Sequence, residues 1–172
     1  MEHLTNRPVR GIGIDMGHVI MDGANDGSDT DFLRGPNYLN ARETRNCFPV
    51  LRELVAKYGA PHVAIVSKCG RGTQQRTLEW LDHNKVYAQT GILPANVYFC
   101  RMVEEKGPIC LKLGLDVFID DRLKVLYHIH KVDPGVLQIL FGNQERDRRE
   151  FAHHLSRVRH ALDWDEVGEI LL

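Results

Sequence analysis

The chain has 172 residues, of which 43% are hydrophobic and 26% are charged, and its formal net charge is −1. This composition is typical of a globular protein and excludes an intrinsically disordered chain. A near-neutral charge gives no reason to expect a nucleic acid or an acidic membrane surface as a partner. The length fits a single domain, residues 1–172, that buries a core without disulfides.

The N-terminal segment is polar, and no apolar run approaches the ~18 residues that a membrane-spanning helix needs. We therefore expect a cytoplasmic protein with no membrane partner. The four cysteines form no C-x-x-C pair. In a reducing compartment they are expected to be buried apolar residues rather than ligands of zinc.

Short apolar runs, rich in β-branched and aromatic residues, each lead into a polar residue or a glycine. Such runs are typical of buried strands in a parallel sheet. They occupy residues 9–14, 63–66, 97–100, 117–119 and 136–141.

Amphipathic stretches separate these runs and predict helices. Thr73 and Asp163 are the expected N-caps of two of them. The predicted helices are 41–58, 73–83, 108–113, 123–130, 145–162 and 164–172. The alternation of strands and helices predicts an α/β fold, a Rossmann-like three-layer sandwich with a mainly parallel sheet of about five strands.

Four polar side chains come directly after strands of this predicted sheet. Asp15, Ser67, Asp120 and Asp121 end the first, second and fourth apolar runs. Ligands of open parallel sheets bind outside the carboxyl ends of the strands, so we expect these residues to converge at one edge. Carboxylates bind Mg²⁺, and one carboxylate can accept a phosphoryl group, so this set suits phosphoryl transfer.

In their order along the chain, these positions resemble the four motifs of the haloacid dehalogenase superfamily. Asp15 lies in RGIGIDMGHVIMD, Ser67 in VAIVSK, Lys106 in EEKGPIC, and the pair Asp120 and Asp121 in DVFIDDR. Each motif alone is a weak signal, whereas the ordered set is specific and extends from residue 9 to the end of the chain.

The resemblance implies a phosphatase-like hydrolase that cleaves a phosphomonoester. Asp15 would be the nucleophile that forms an aspartyl-phosphate. Ser67 would donate a hydrogen bond to the transferring phosphoryl group, and Lys106 would pair with Asp15 and with the phosphate.

The resemblance also implies a magnesium site. Asp15 and the carbonyl oxygen of Gly17 would contact the ion. Asp121 is the preferred third ligand, with Asp120 beside it as a ligand or an orienting group.

One position departs from the superfamily pattern. A second aspartate normally stands two residues after the nucleophile and acts as general acid and base, and here that position is Gly17. Either activity is lost or slow, which would make the chain a binding or regulatory domain, or another group takes the role. His18 is one candidate, since its unperturbed pKa is about 6.5; a purely structural role in the loop is the other reading.

Three polar or charged residues next to the motif residues are candidates for substrate binding: Lys68, His18 and Arg122. A structural ion pair is an equal reading for Arg122. The substrate is expected to be a phosphorylated small molecule or a nucleotide, and a homodimer is left open. Two rivals are weaker: a response-regulator-like phosphoacceptor would carry its acidic pair on the first strand, and a dehalogenase would not need the two late aspartates.

Residues 21–40 form a short loop insertion where related proteins often carry a cap, so no full cap domain is expected. The stretch 145–162 is basic, but acidic residues such as Asp147 are interspersed, which indicates a solvated helix face rather than a nucleic-acid site. The pairs His128 and His130, and His153 and His154, are not expected to bind a metal.

Overall fold

The structure is a computed structural model that describes residues 8–22, 33, 35–143, 145 and 147–172. Its centre is a sheet of six parallel strands in the order β3-β2-β1-β4-β5-β6. The strands are β1 (Ile12–Ile14), β2 (Val63–Lys68), β3 (Val97–Cys100), β4 (Val117–Asp120), β5 (Leu137–Phe141) and β6 (Arg159–Ala161).

Helices cover both faces of this sheet. They are α1 (Cys47–Tyr58), α2 (Arg71–His83), α3 (Val86–Thr90), α4 (Lys106–Leu113), α5 (Leu123–Val132) and α6 (Trp164–Leu171). Short 3-10 helices at Val103–Glu105 and Ala152–Arg157 connect some of these elements. None of the helices in the described part of the chain is long and apolar enough to cross a membrane.

The predicted α/β fold with a parallel sheet is confirmed, and all of the predicted strands are present. The sheet has one more strand than expected. β6 lies inside the predicted helix 145–162, which was wrong: the described part of that stretch holds turns, the 3-10 helix Ala152–Arg157 and β6. Arg159 and His160 are exposed on this edge strand, and charged residues there protect a sheet edge from pairing with other chains.

Several helix boundaries also differ from the predictions. The helix expected at 41–58 begins only at Cys47. Thr73 is not an N-cap, because α2 begins two residues earlier after Gly70. Asp163 is confirmed as the cap of α6, since its Oδ1 accepts a hydrogen bond from the Glu166 N–H at 3.1 Å. The predicted insertion at 21–40 lies partly outside the described residues.

The sheet separates two apolar cores, as a three-layer sandwich requires. Alternate residues of β4 point to opposite faces: Val117 and Ile119 belong to one core and Phe118 to the other. Trp80 and Trp164 fill the first core from α2 and α6, whereas α4 and α5 supply the second. The cores fix the strands, and the strands fix the polar residues at their ends.

The packing of β1 against the second core makes a testable prediction at Gly13. A Cβ added there would lie 2.5 Å from a ring carbon of Phe118 and 2.7 Å from Leu115 Cδ1. Gly13→Ala should therefore lower the free energy of unfolding by about 1–3 kcal/mol, the usual cost of overpacking a core. Urea denaturation measures this change.

Gly72 provides the matched control. It lies in α2, where an added Cβ would meet nothing within 4 Å. Gly72→Ala should raise the free energy of unfolding by about 0.5–1 kcal/mol, because alanine favours the helix. A Gly13→Ala protein as stable as the wild type would contradict the tight contact with Phe118.

His154 is buried near Tyr127 of α5, and its imidazole ring is neutral there. It is 1% exposed, and its Nε2 lies 2.7 Å from Oε1 of Gln138. Burial, followed by the charges of the neighbouring His130, Arg157 and His153, lowers the pKa of His154 to about 4. The ring of Tyr127 also packs on it, with centroids 5.7 Å apart.

The lowered pKa of His154 predicts a pH-dependent stability. In the unfolded chain a histidine has a pKa of about 6.5, so protonation favours the unfolded state as the pH falls from about 6.5 to about 4. The free energy of unfolding should fall over this window, and His154→Gln, which keeps a hydrogen-bonding amide, should reduce that fall. Urea denaturation at several pH values tests this, and identical pH profiles of the two proteins would contradict it.

Candidate active site

A cavity of about 220 Å³ opens at the carboxyl ends of β1, β2 and β4. This is the edge at which open parallel sheets bind ligands. All of the predicted site residues line it: Asp15, Gly17, His18, Ser67, Lys68, Lys106, Asp120, Asp121 and Arg122.

The loop after β1 places Asp15 on the floor of this cavity. The N–H of Asp15 donates to the carbonyl of Ile119 at 2.9 Å, which ties the end of β1 to β4. The following turn is closed by bonds from the N–H groups of Ile20 and Met21 to the carbonyl of Met16, both 3.0 Å long. His18 adopts a left-handed backbone conformation (φ 59°) in this turn. The geometry fixes the carboxylate at the end of a buried strand.

Lys106 is the buried cation of the site. Its side chain is 1% exposed, and its Nζ donates to Asp15 Oδ1 at 2.5 Å and to Asp120 Oδ2 at 2.7 Å. Gly107 lets α4 approach α5 closely here, because an added Cβ would lie 2.7 Å from Cγ2 of Val132. This close packing positions Lys106, the first residue of α4, at the cavity.

The two aspartates at the end of β4, Asp120 and Asp121, have perturbed pKa values. Burial raises the pKa of Asp120 to about 7, although the charge of Lys106 acts in the opposite direction. Burial, followed by the charges of Asp120 and Asp15, raises the pKa of Asp121 well above its usual range. Burial would lower the pKa of Lys106, but Asp120 and Asp15 together raise it, so the lysine is charged.

The acidic residues fit a divalent cation. Asp15, Asp120 and Asp121 each offer a carboxylate oxygen, and these oxygens lie within 4.8 Å of one another. A divalent ion would stabilise the charged forms of Asp120 and Asp121, which burial disfavours. Mg²⁺ prefers such hard oxygen ligands. Asp120 is already bound by Lys106 and accepts from the Arg122 N–H at 2.9 Å, which leaves Asp121 as the better third ligand.

The end of β2 supplies the hydroxyl and an exposed cation. Ser67 is buried at the cavity. Lys68, the next residue, is exposed at the rim. A buried hydroxyl and an exposed ammonium on the same strand end can bind different oxygens of one phosphate.

Apolar residues also line the cavity. They are Met16, Leu33, Val103 and Val125. Arg76 of α2 holds the segment that carries Leu33, because its Nη1 donates to the carbonyl of Leu33 at 2.6 Å. Tyr38 of the same segment donates to Glu79 of α2 and packs under Arg76.

Asp147 contacts the site through Arg122 and was not predicted as a site residue from the sequence. It was assigned to a solvated helix face, but the structure places it in a turn where it binds Arg122. The Nε of Arg122 donates to Asp147 Oδ2 at 2.9 Å, and its Nη2 lies 2.8 Å from the same oxygen. Its position after β5, at the same sheet edge as the motifs, does not distinguish it from the acidic neighbours Glu145 and Glu150.

The histidine pairs form no metal site among the described residues, where the three aspartates are the one candidate group. The ring centroids of His130 and His154 lie 5.0 Å apart with the rings tilted by 58°, in an aromatic cluster between α5 and the 3-10 helix Ala152–Arg157.

Comparison with solved structures finds the same fold in a haloacid dehalogenase-like hydrolase from Burkholderia xenovorans LB400. The two chains are 15% identical with a TM-score of 0.55, over 82% of this chain and 63% of that one. A de novo designed Rossmann 3x3 protein aligns at 12% identity and a TM-score of 0.44, over 92% and 90% of the chains. No protein-family model matches this chain, and no curated protein matches it. The protein thus has a haloacid dehalogenase-like fold and spans 63% of the length of that hydrolase.

Proposed function

We propose that this protein, whose fold is that of a haloacid dehalogenase-like hydrolase, is a Mg²⁺-dependent phosphohydrolase. It would cleave a phosphomonoester through an aspartyl-phosphate on Asp15. One observation carries the proposal: a buried lysine binds Asp15 and Asp120 at the carboxyl edge of a parallel sheet, with Asp121 beside them.

Each residue of the cavity has its own role in the proposed reaction. A carboxylate oxygen of Asp15 attacks phosphorus, the bond to the leaving oxygen breaks, and water later attacks the aspartyl-phosphate to release phosphate. Lys106 holds Asp15 in place and faces the negative charge of the phosphoryl oxygens, and Ser67 donates to one of those oxygens. Asp15, Asp121, the carbonyl of Gly17 and Asp120 would hold Mg²⁺, which when bound neutralises phosphate charge.

Gly17 determines which leaving groups suit this site. It has no side chain that could protonate the leaving oxygen. A leaving group with a low pKa departs as its anion without that help, whereas an alkoxide needs a proton. Aryl phosphates are therefore the substrates with which to detect activity first.

The first experiment measures the hydrolysis of p-nitrophenyl phosphate by the purified protein with Mg²⁺ and with EDTA. Turnover that requires Mg²⁺ is the expected result. Turnover that persists in EDTA would contradict a magnesium site, and the absence of turnover with every aryl and sugar phosphate would contradict the hydrolase.

A second candidate follows from Gly17: a binding or regulatory domain that holds Mg²⁺ and phosphate without turnover. Calorimetric titration with Mg²⁺ and inorganic phosphate distinguishes the two. Tight binding of both without hydrolysis would favour the binding domain, and hydrolysis would exclude it. The location in the cytoplasm, the phosphorylated small-molecule or nucleotide substrate and a homodimer remain proposals.

A further inference from the structure

We propose that Asp147 is a positioning residue, which fixes the guanidinium of Arg122 on the cavity wall so that it binds the substrate phosphate. The proposal rests on the proposed function for the identity of the substrate. It extends that function to a residue that lies 25 positions beyond Arg122 in the chain and outside every motif of the sequence.

The contact between the two side chains is short and shielded from solvent. Both Nε and Nη2 of Arg122 reach one carboxylate oxygen of Asp147, at 2.9 and 2.8 Å. The side chains are 18% and 12% exposed, respectively. Charge-assisted bonds in such shielded surroundings are stronger than those of exposed ion pairs, which contribute little. The pair therefore holds the arginine in one orientation.

Asp147 is itself held in place by the backbone. It has a left-handed conformation (φ 65°), which aspartate and asparagine tolerate better than most residues. Its carbonyl accepts a bond from the N–H of Phe151 at 3.0 Å. The buried ring of Phe151 packs against Tyr127 of α5, with centroids 5.1 Å apart. The turn is thus anchored to the helix that begins just after Arg122.

The position of Arg122 indicates how its ion pair with Asp147 affects phosphate binding. Its side chain lines the same cavity as Asp15 and Ser67, and its N–H donates to Asp120 at 2.9 Å. A guanidinium has five N–H donors, enough to bind a carboxylate and a phosphate at the same time. An arginine that is already ordered loses less conformational freedom when the ligand binds. Asp147 therefore acts on phosphate affinity through Arg122.

The test uses inorganic phosphate as the ligand, measured by isothermal titration calorimetry with Mg²⁺ on the full chain. Arg122→Ala should weaken phosphate binding about tenfold, the loss of one charged hydrogen bond. Asp147→Asn, which keeps the shape and tolerates the left-handed backbone, should weaken it roughly threefold. The double variant should bind no more weakly than Arg122→Ala, because Asp147 acts only through the arginine.

Glu150→Gln is the matched control, since Glu150 is an exposed acidic residue of the same turn. It should leave phosphate affinity unchanged. With p-nitrophenyl phosphate as substrate, Asp147→Asn should raise KM and leave kcat within about twofold, because ground-state binding is what it alters.

Two results would overturn the inference. In the first, Asp147→Asn lowers the unfolding temperature without changing phosphate affinity, which would make the ion pair purely structural. In the second, the effects of the two substitutions on affinity add in the double variant. Wild-type protein that binds phosphate but hydrolyses nothing would overturn the proposed function alone. Wild-type protein that binds no phosphate would overturn both.

Discussion

Asp15→Asn is expected to reduce hydrolysis of p-nitrophenyl phosphate by a factor of about 10³ or more, because an amide does not replace a carboxylate nucleophile. The stability of the folded protein should not decrease. Asp15 lies close to Asp120 and Asp121, and Lys106 binds only Asp15 and Asp120, so neutralising Asp15 removes repulsion within the site. The free energy of unfolding should stay the same or rise by about 1 kcal/mol, as in other sites where function opposes stability.

The measurement combines steady-state rates, urea denaturation and mass spectrometry of acid-quenched protein, which detects the phosphorylated enzyme in the wild type only. Asp116→Asn is the control. Asp116 precedes β4 at the far end from the cavity, where its Oδ2 accepts from the Arg10 N–H at 2.8 Å. This variant should lose stability and retain activity. Full activity of the Asp15→Asn protein would contradict a covalent aspartyl-phosphate intermediate.

Lys106→Met is expected to have the second large effect, on both activity and stability. Lys106 binds two carboxylates, and its own side chain and that of Asp120 are almost completely buried. Without its charge, Asp15 and Asp120 stay buried with no cation between them, which should destabilise the fold by about 3–5 kcal/mol. Activity should fall about 10²–10³-fold, because the phosphoryl oxygens also lose the charge that faces them.

Urea denaturation with and without Mg²⁺ tests this prediction, since the cation should restore part of the lost stability by supplying positive charge. Lys112→Met is the matched control. Lys112 lies on the same helix, is exposed and is not among the cavity residues, so neither activity nor stability should change appreciably. If both variants unfolded at the same urea concentration, Lys106 would not compensate buried negative charge.

The parallel sheet and its functional edge could be predicted because buried strands are continuous apolar runs. The first polar residue after such a run marks the carboxyl edge, and this rule located Asp15, Ser67 and Asp120 together. Lys106 required the resemblance to the superfamily, because no local pattern distinguishes it from Lys112. Only the structure shows that it binds two carboxylates, one of which lies 91 residues away.

Asp147 and β6 could not be predicted from local pattern. β6 has three residues, of which Arg159 and His160 are exposed, so it lacks both an apolar run and an alternation long enough to recognise. Its pairing with β5 is decided by tertiary contacts. Asp147 resembles any acidic residue in a charged stretch, and its role depends on a turn that brings it back to Arg122.

The strand order has a consequence for synthesis of the chain. β1 pairs with β2 on one flank and with β4 on the other, and the chain completes β2 and β3 before it supplies β4. While translation proceeds, one flank of β1 therefore stays an unpaired edge, open to association with other nascent chains. Asp15, Ser67 and Lys106 emerge while this edge is open, whereas Asp120 and Asp121 emerge only with β4 or directly after it. Closing this edge is a slow, non-local event, and the same event that shields β1 assembles the catalytic charges.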